Sequence, residues 1–521
     1  MGGVIKYMFS KVFSGAILGL DSFIISVEAD VSNGLPIFDM VGFLASEVKE
    51  ARERVKIALK NCGYRLPSKR ITVNLSPADI RKAGTAYDLP IAIAILGALG
   101  YIPEKALKDV LIIGELSLDG SVNQVNGILP IIYSAKEQGF KRFIVPKGNA
   151  REGAVVKGTK VYGISKLKEA VALLSGDLSK EEEKIDLSLF FKEGQKDKKL
   201  DFSDVSGQET LKRAIEVAVS GMHNILMIGP PGSGKTMLAK RIPTIMPDLS
   251  LEESMEVSKI YSIAGLMDNQ ALITKRPFRS PHHTITKSAL VGGGAIPKPG
   301  EISLAHLGVL FLDELPEFKK ETIEVLRQPL EDRYINISRL HGKYKYPSNL
   351  MMVAAMNPCY CGFYPDRNRC NCSINQVKRY LGRISRPMLD RFDICIEALQ
   401  INYKELQNNR KEESSSDIIK RVNIARKMQI YRYKERNIWY NSQLTPLLIK
   451  KYCKLGSKEE TLMEEAFRKL NLTARAYHRV LKVARTIADL DESDDIKVKH
   501  ISEAICYRSI EQNIVYIEDG I

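Results

Sequence analysis

Gly229-Pro-Pro-Gly-Ser-Gly-Lys-Thr236 decides how this chain is read. It satisfies G-x-x-x-x-G-K-[ST], a pattern a chain of this size meets by chance roughly one time in fifty. Its flanks supply the required setting. Asn224-Ile-Leu-Met-Ile-Gly229 is an apolar run that reads as a buried strand, and Met237 to Ile242 reads as the start of a helix. Between them Gly229, Pro230, Pro231, Gly232, Ser233 and Gly234 form a loop whose backbone N–H groups can curl around phosphate oxygens. Lys235 is placed to reach the β/γ-phosphates of ATP, and Thr236 offers a hydroxyl to Mg²⁺.

The complementary acidic half lies downstream, in Val309-Leu-Phe-Leu-Asp313-Glu314. Four apolar residues predict a central strand with Asp313 at its C-terminal end, where α/β sheets place ligands. Asp313 is the expected Mg²⁺ residue and Glu314 the general base for the attacking water. Alone, this string is better read as a buried strand followed by an acidic turn. Paired with the glycine-rich loop, it predicts nucleotide hydrolysis.

Outward from this core, the 521 residues suffice for two to four domains. Residues 1–175 mix strands and helices. Ile24 to Val31 and Ile71 to Leu75 read as strands. Ser46 to Asn61 reads as an amphipathic helix with Val48, Ala51, Val55, Ala58 and Leu59 on one face. Residues 176–200 are charged and read as a linker. In residues 201–400 apolar strands alternate with helical patterns, so an α/β core with a mostly parallel sheet is expected. A polar stretch from Gln407 to Asp417 marks the next boundary, and within the C-terminal block, 401–521, residues 418–521 read as helical throughout, for example Ala474 to Leu490.

The charge balance, 77 Lys+Arg against 62 Asp+Glu, gives a net +15 and suggests an acidic partner, nucleic acid first. Aromatic content of 7% argues against a single-strand binder built mainly on stacking platforms. The run Gly15 to Leu20 is cut short by Asp21, so no membrane span is expected and a cytoplasmic location is. Four of the eight cysteines cluster as Cys359-Tyr-Cys361 and Cys370-Asn-Cys372. Four thiolates in a short loop suit tetrahedral Zn²⁺, in a knuckle marked by Gly362 and Pro365, with free structural thiols as the alternative.

The order of motifs resembles the YifB/ComM family, the magnesium-chelatase-like AAA+ ATPases. Phe278-Arg-Ser-Pro-His-His-Thr284, Pro299-Gly-Glu-Ile-Ser-Leu-Ala-His306 and Phe311-Leu-Asp-Glu-Leu-Pro-Glu317 are the most specific strings. The resemblance implies an AAA+ P-loop core, a C-terminal α-helical lid and a homo-hexameric ring on DNA. It implies that Asn357, closing the apolar run Ala354-Ala-Met, is sensor 1 and orients the attacking water. Arg391, in Pro387-Met-Leu-Asp-Arg391, matches the arginine finger that serves a neighbour's site. Arg386 competes for that role, and a salt-bridged helix-end arginine is the plain alternative. Arg475 matches sensor 2. The basic segment Ser338 to Lys345 occupies the position of a DNA-tracking hairpin, with Arg339, His341, Lys343 and Lys345 as candidate phosphate contacts. Ala289 to Pro299 reads as a mobile insertion loop facing the pore.

The first block resembles a Lon-protease-like α+β domain through Lys82 to Pro90, Ile113 to Gly120 and Ile144-Val-Pro146. In that alignment Ala86 falls at the nucleophilic serine and Leu129 at the catalytic lysine, so Ser–Lys chemistry is absent. Thr85 is adjacent but has no evident lysine partner. The expected protein is thus an ATP-driven DNA translocase or helicase for branch migration. A chelatase-type motor for metal insertion and an ATP-dependent protease are the competing readings.

Overall fold

The computed structural model describes residues 9–177, 179–187, 190–191, 200–294, 297–339, 342–400, 412–436 and 438–519, with side chains to 508. His341, Lys192 to Lys199 and residues 401–411 of the two polar stretches lie outside the described residues.

The first unit is built on a seven-stranded sheet. Its order is Phe38–Val41, Arg70–Ser76, Asp21–Ser32, Phe9–Leu18, Val110–Ile112, Arg142–Pro146, Lys160–Ile164. Phe9–Leu18 and Asp21–Ser32 form an antiparallel hairpin with Leu18 opposite Asp21. The helix Ser46–Asn61 buries Val48, Ala51, Val55, Ala58 and Leu59, the face its periodicity predicts. The helix Asp88–Ala98 is buried on all sides, which is why its sequence shows no amphipathic stripe. Part of the predicted linker is not free: Ile185, Leu187, Phe190 and Phe191 pack against an apolar cluster of this unit. The charged composition of 176–200 concealed that apolar stripe.

The second unit carries a five-stranded sheet, ordered Phe278–Arg279, Val309–Leu312, Met351–Met356, Ile225–Ile228, Ile394–Glu397, and every pair in it is parallel. Its central strands are buried at every position, as parallel strands covered on both faces must be. Ala354 stands level with Leu226 on one side and Leu312 on the other. That register brings the residues following three strands to one edge of the sheet.

The C-terminal unit is helical: Ser415–Tyr433, Pro446–Tyr452, Ser457–Lys469, Ala474–Leu490 and Val498–Asp519. It shares one core with the sheet. Val480, Val483 and Ile487 join Ile225, Val353 and Ile394 in a single buried cluster. Among the described residues, no helix is long and apolar enough to cross a membrane.

The basic segment forms a hairpin, as its sequence reads, with Arg339 in the strand Tyr334–Arg339 and Lys343 and Lys345 in its antiparallel partner Gly342–Pro347. One local expectation changes. The insertion is more ordered than its glycines suggest. Thr286 caps a short helix, Lys287–Val291, by accepting from the Ala289 N–H at 3.2 Å. Gly292–Gly293 then pairs with Lys298–Pro299.

Candidate active site and its surroundings

The phosphate loop leaves Ile228 and enters the helix Lys235–Arg241. Gly232 and Gly234 adopt φ of 77° and 83°, so the loop needs residues without a Cβ there. Lys235 is buried. Its ammonium donates to the carbonyls of Gly229 at 2.7 Å and Pro230 at 2.8 Å, and reaches Asn357 Oδ1 at 3.4 Å. Burial pushes its pKa down to about 8, with the Asp313 charge opposing. Such a lysine gains most from an incoming phosphate charge.

Thr236 Oγ1 donates to Asp313 Oδ2 at 2.7 Å, while Asp313 Oδ1 accepts from the Glu314 N–H at 3.0 Å. Glu314 has φ 52° and a side chain 60% exposed. A left-handed conformation in a non-glycine residue is costly, and here it turns the carboxylate out of the strand direction. Residues 231–237 line a cleft of about 340 Å³ with Asp313, Glu314, Met356 and Asn357. The loop, Asp313, Glu314 and Asn357 therefore share one cavity. Thr236 and Asp313 would hold Mg²⁺, which would neutralise charge on the phosphates.

Other predicted residues lie elsewhere. Arg391 and Arg475 are not among the residues lining this cleft. Arg391 is almost buried: its Nη2 pairs with Glu331 Oε1 at 2.6 Å. Arg386, at the start of the helix Arg386–Leu389, is exposed, and so is Arg475 at the start of Ala474–Leu490. Arg391 lines a second cavity of about 290 Å³ with Arg333, Asp393, Arg479 and Lys482, between the sheet and the helical unit.

Three partners of the cleft escaped the sequence reading. His283 Nδ1 stands 3.8 Å from Glu314 Oε2, and its ring meets Phe318 edge-on. Gln208 donates to the Ser233 carbonyl at 3.1 Å. Gly362, at φ 85°, comes so close to the phosphate loop that a Cβ there would sit 2.5 Å from Pro231 Cδ. The string containing His283 was visible, but its approach to Glu314 was not.

The four cysteines converge. Their sulfurs lie within 4.8 Å of one another, with Cys359 to Cys361 at 3.3 Å and Cys359 to Cys370 at 3.8 Å. Sulfurs about 3.8 Å apart are what four Zn–S bonds of about 2.3 Å impose on a tetrahedron. The donor set therefore fits Zn²⁺, with Cys359, Cys361, Cys370 and Cys372 as the residues that would hold it. Its chemistry there would be structural.

The basic hairpin is two-faced. Ile335, Ile337, Tyr344 and Tyr346 are buried, while Asn336, Ser338, Arg339, Lys343 and Lys345 are exposed. Ser338 lies opposite Lys343 and Asn336 opposite Lys345, so Lys343 and Lys345 share the outer face, while Arg339 alternates to the side of Ile335 and Ile337 and reaches the Gly294 carbonyl at 3.5 Å from the end of its strand.

Ala86 and Leu129, the positions of the absent Ser–Lys pair, both belong to one apolar cluster with Ile128 and Ile132. Lys82 is fully buried and donates to the Pro77 carbonyl. Thr85 donates to Glu115.

Comparison with known proteins follows this geometry. Residues 201–406 match the family described as magnesium chelatase, subunit ChlI, and residues 412–508 match its C-terminal family. Residues 27–149 match a further family described as subunit ChlI of Mg-chelatase. The YifB protein of Escherichia coli is 43% identical over 98% of this chain and 99% of its own. The chain belongs to the YifB/ComM family of magnesium-chelatase-like AAA+ ATPases. Competence protein ComM of Haemophilus influenzae is 42% identical over 96% of this chain and 97% of its own. Like other members of the YifB/ComM family, the chain is an ATP-hydrolysing enzyme. Similarity to Lon is narrower: the archaeal Lon protease of Methanocaldococcus jannaschii is 31% identical over 119 residues, 23% of this chain and 18% of its own.

Proposed function

We propose that the chain assembles as a homo-hexameric ring and uses ATP to move DNA, promoting branch migration in recombination or natural transformation. The observation that carries this reading is the two-faced hairpin of Tyr334–Arg339 and Gly342–Pro347, whose outer face is basic and whose second strand is joined by three residues to the strand Met351–Met356 that precedes Asn357. A movement of the sensor strand is thereby transmitted over few residues to Arg339, Lys343 and Lys345. His341 belongs to the same proposed contact set. Arg391 acts as the finger on a neighbour's ATP, and Arg475 reports phosphate state from the lid. Cys359, Cys361, Cys370 and Cys372 would hold zinc in a knuckle that stiffens the loop after Asn357.

The Lon-like domain is proposed to be non-catalytic. Ala86 supplies no nucleophile and Leu129 no base, and both are packed among apolar side chains.

DNA-stimulated ATPase activity tests the motor. Changing Lys343 and Lys345 together to Ala is expected to spare basal ATPase and remove DNA stimulation and strand movement. Each lost phosphate contact lowers the log–log salt slope of binding by about one unit. An ATPase indifferent to DNA would instead favour a metal-insertion motor, the activity named in the matching family descriptions.

A further inference from the structure

Among the described residues, two contacts between the first unit and the ATPase unit lead to the elements proposed to face DNA. The first is the tight turn Leu18-Gly19-Leu20-Asp21 of its antiparallel hairpin. Leu18 and Leu20 pack against the cluster that holds Ile335, Ile337, Tyr344 and Tyr346, the inner face of the basic hairpin. Gly19, at φ 70°, lies flat on the second strand of that hairpin. A Cβ added there would be 3.6 Å from both Lys345 N and Tyr344 Cα. Leu18 reaches further out, its Cδ1 3.5 Å from where a Cβ of Gly342 would stand. Gly342 pairs with Arg339 at the outer end of the ribbon.

The second contact is broader. Gly127 N–H donates to the Ser262 carbonyl at 3.0 Å, and the Lys259 ammonium sits 3.3 Å from the Tyr133 ring centroid. Ser262 also donates to Glu152, a buried carboxylate that accepts from Leu129 N–H at 3.0 Å. Both Lys259 and Ser262 lie on the helix Leu251–Ala264. That helix holds the segment following the insertion, through Tyr261 Oη to the Leu304 carbonyl at 3.0 Å.

We propose that the first unit is a positioning element for DNA engagement: the Leu18–Asp21 turn seats the basic hairpin so that Lys343 and Lys345 project at a fixed depth. This rests on the reading of the hairpin as the DNA contact. The ATPase unit's own cluster holds the buried side chains of the ribbon, but an outer end without further contacts would have to be ordered by the DNA itself. A ribbon held near its outer end by Leu18 and along one strand by Gly19 meets DNA already ordered. The replacement of the Ser–Lys positions by Ala86 and Leu129 fits this role, because that site now fills an apolar cluster beside the second contact.

The test uses the full-length protein carrying Leu18→Ser with Leu20→Ser, and separately Leu18→Ala, which leaves Leu20 in place. Basal ATPase is expected to stay within twofold of the parent. DNA affinity is expected to fall by about tenfold, the equivalent of ordering one residue's backbone. DNA stimulation of ATPase falls with it, and Leu18→Met restores both. Hydrogen exchange of residues 334–347 is expected to quicken in both weakened variants without DNA. Unchanged exchange in a folded variant overturns the proposal whatever the DNA result. Lys343→Ala/Lys345→Ala is run beside it. If that double variant keeps full DNA stimulation while exchange quickens in the Leu18 variants, the DNA role of the hairpin falls and its seating stands. If the paired serine variant does not fold, exchange and DNA affinity in Leu18→Ala decide.

Discussion

The Thr236 hydroxyl donates to the Asp313 carboxylate at 2.7 Å, joining two residues 77 positions apart in the chain. Parallel pairing of Ile225–Ile228 and Val309–Leu312 with Met351–Met356 makes that bond possible, because it puts both strand ends at one edge. The same pairing brings Asn357 within 3.4 Å of Lys235.

Lys235→Ala is expected to weaken ATP binding by about 10–100-fold, the loss of charge-assisted hydrogen bonds in a buried site. Glu314→Gln keeps the Thr236–Asp313 pair and should bind ATP yet hydrolyse it about 100-fold more slowly or worse. Nucleotide titration and single-turnover hydrolysis separate the two. Hydrolysis by Glu314→Gln at the parent rate would remove Glu314 from the role of base.

Arg391→Ala is expected to retain ATP binding and lose about 10³-fold or more in hydrolysis if the guanidinium serves a neighbour. Mixing it with Lys235→Ala protein should restore part of the activity, since some interfaces then combine an intact finger with an intact cradle. With subunit exchange confirmed, no recovery would leave Arg391 as a structural partner of Glu331 at 2.6 Å.

One zinc per chain is expected in purified protein, and Cys370→Ser should lose it. Gly362 lies against Pro231 of the phosphate loop, so loosening the knuckle should also weaken ATP binding. Metal analysis at background level in the parent protein would refute the zinc reading.

Asp393 provides a pH test. Burial alone would raise its pKa, but the His223 hydrogen bond and the charges of His223, Arg479 and Lys482 bring it down to about 2. The unfolded chain takes up this proton near pH 4, well before the folded protein does. Its stabilisation is therefore complete above about pH 4 and lost as pH falls towards 2. Asp393→Asn should be less stable than the parent at pH 7, with the gap narrowing through that window. Melting temperatures across pH 2–7 read this, and a gap that stays constant throughout would contradict it.

Much of the candidate site was legible because its parts are contiguous. The phosphate loop, the strand before Asp313 and the helix face from Val48 to Leu59 each depend on neighbours within a few residues, so periodicity and spacing specify them. The insertion near Gly292 read as a loose loop because its order comes from pairing with Lys298–Pro299. The apolar contacts of Ile185 and Phe190 were hidden by the charges around them.

The sequence by itself determined the family, the chemistry of the ATP site and the four-thiol donor set, since each is written in a short string of residue types. Tertiary structure alone decided that His283 faces Glu314, that Gly362 abuts Pro231, that Arg391 is held by Glu331, and that Leu18 packs against the cluster under the basic hairpin. Those contacts join residues 31 to more than 300 positions apart. Helical and strand periods carry no information at such separations. Only the packing of sheet, helices and first unit into shared clusters brings the surfaces together.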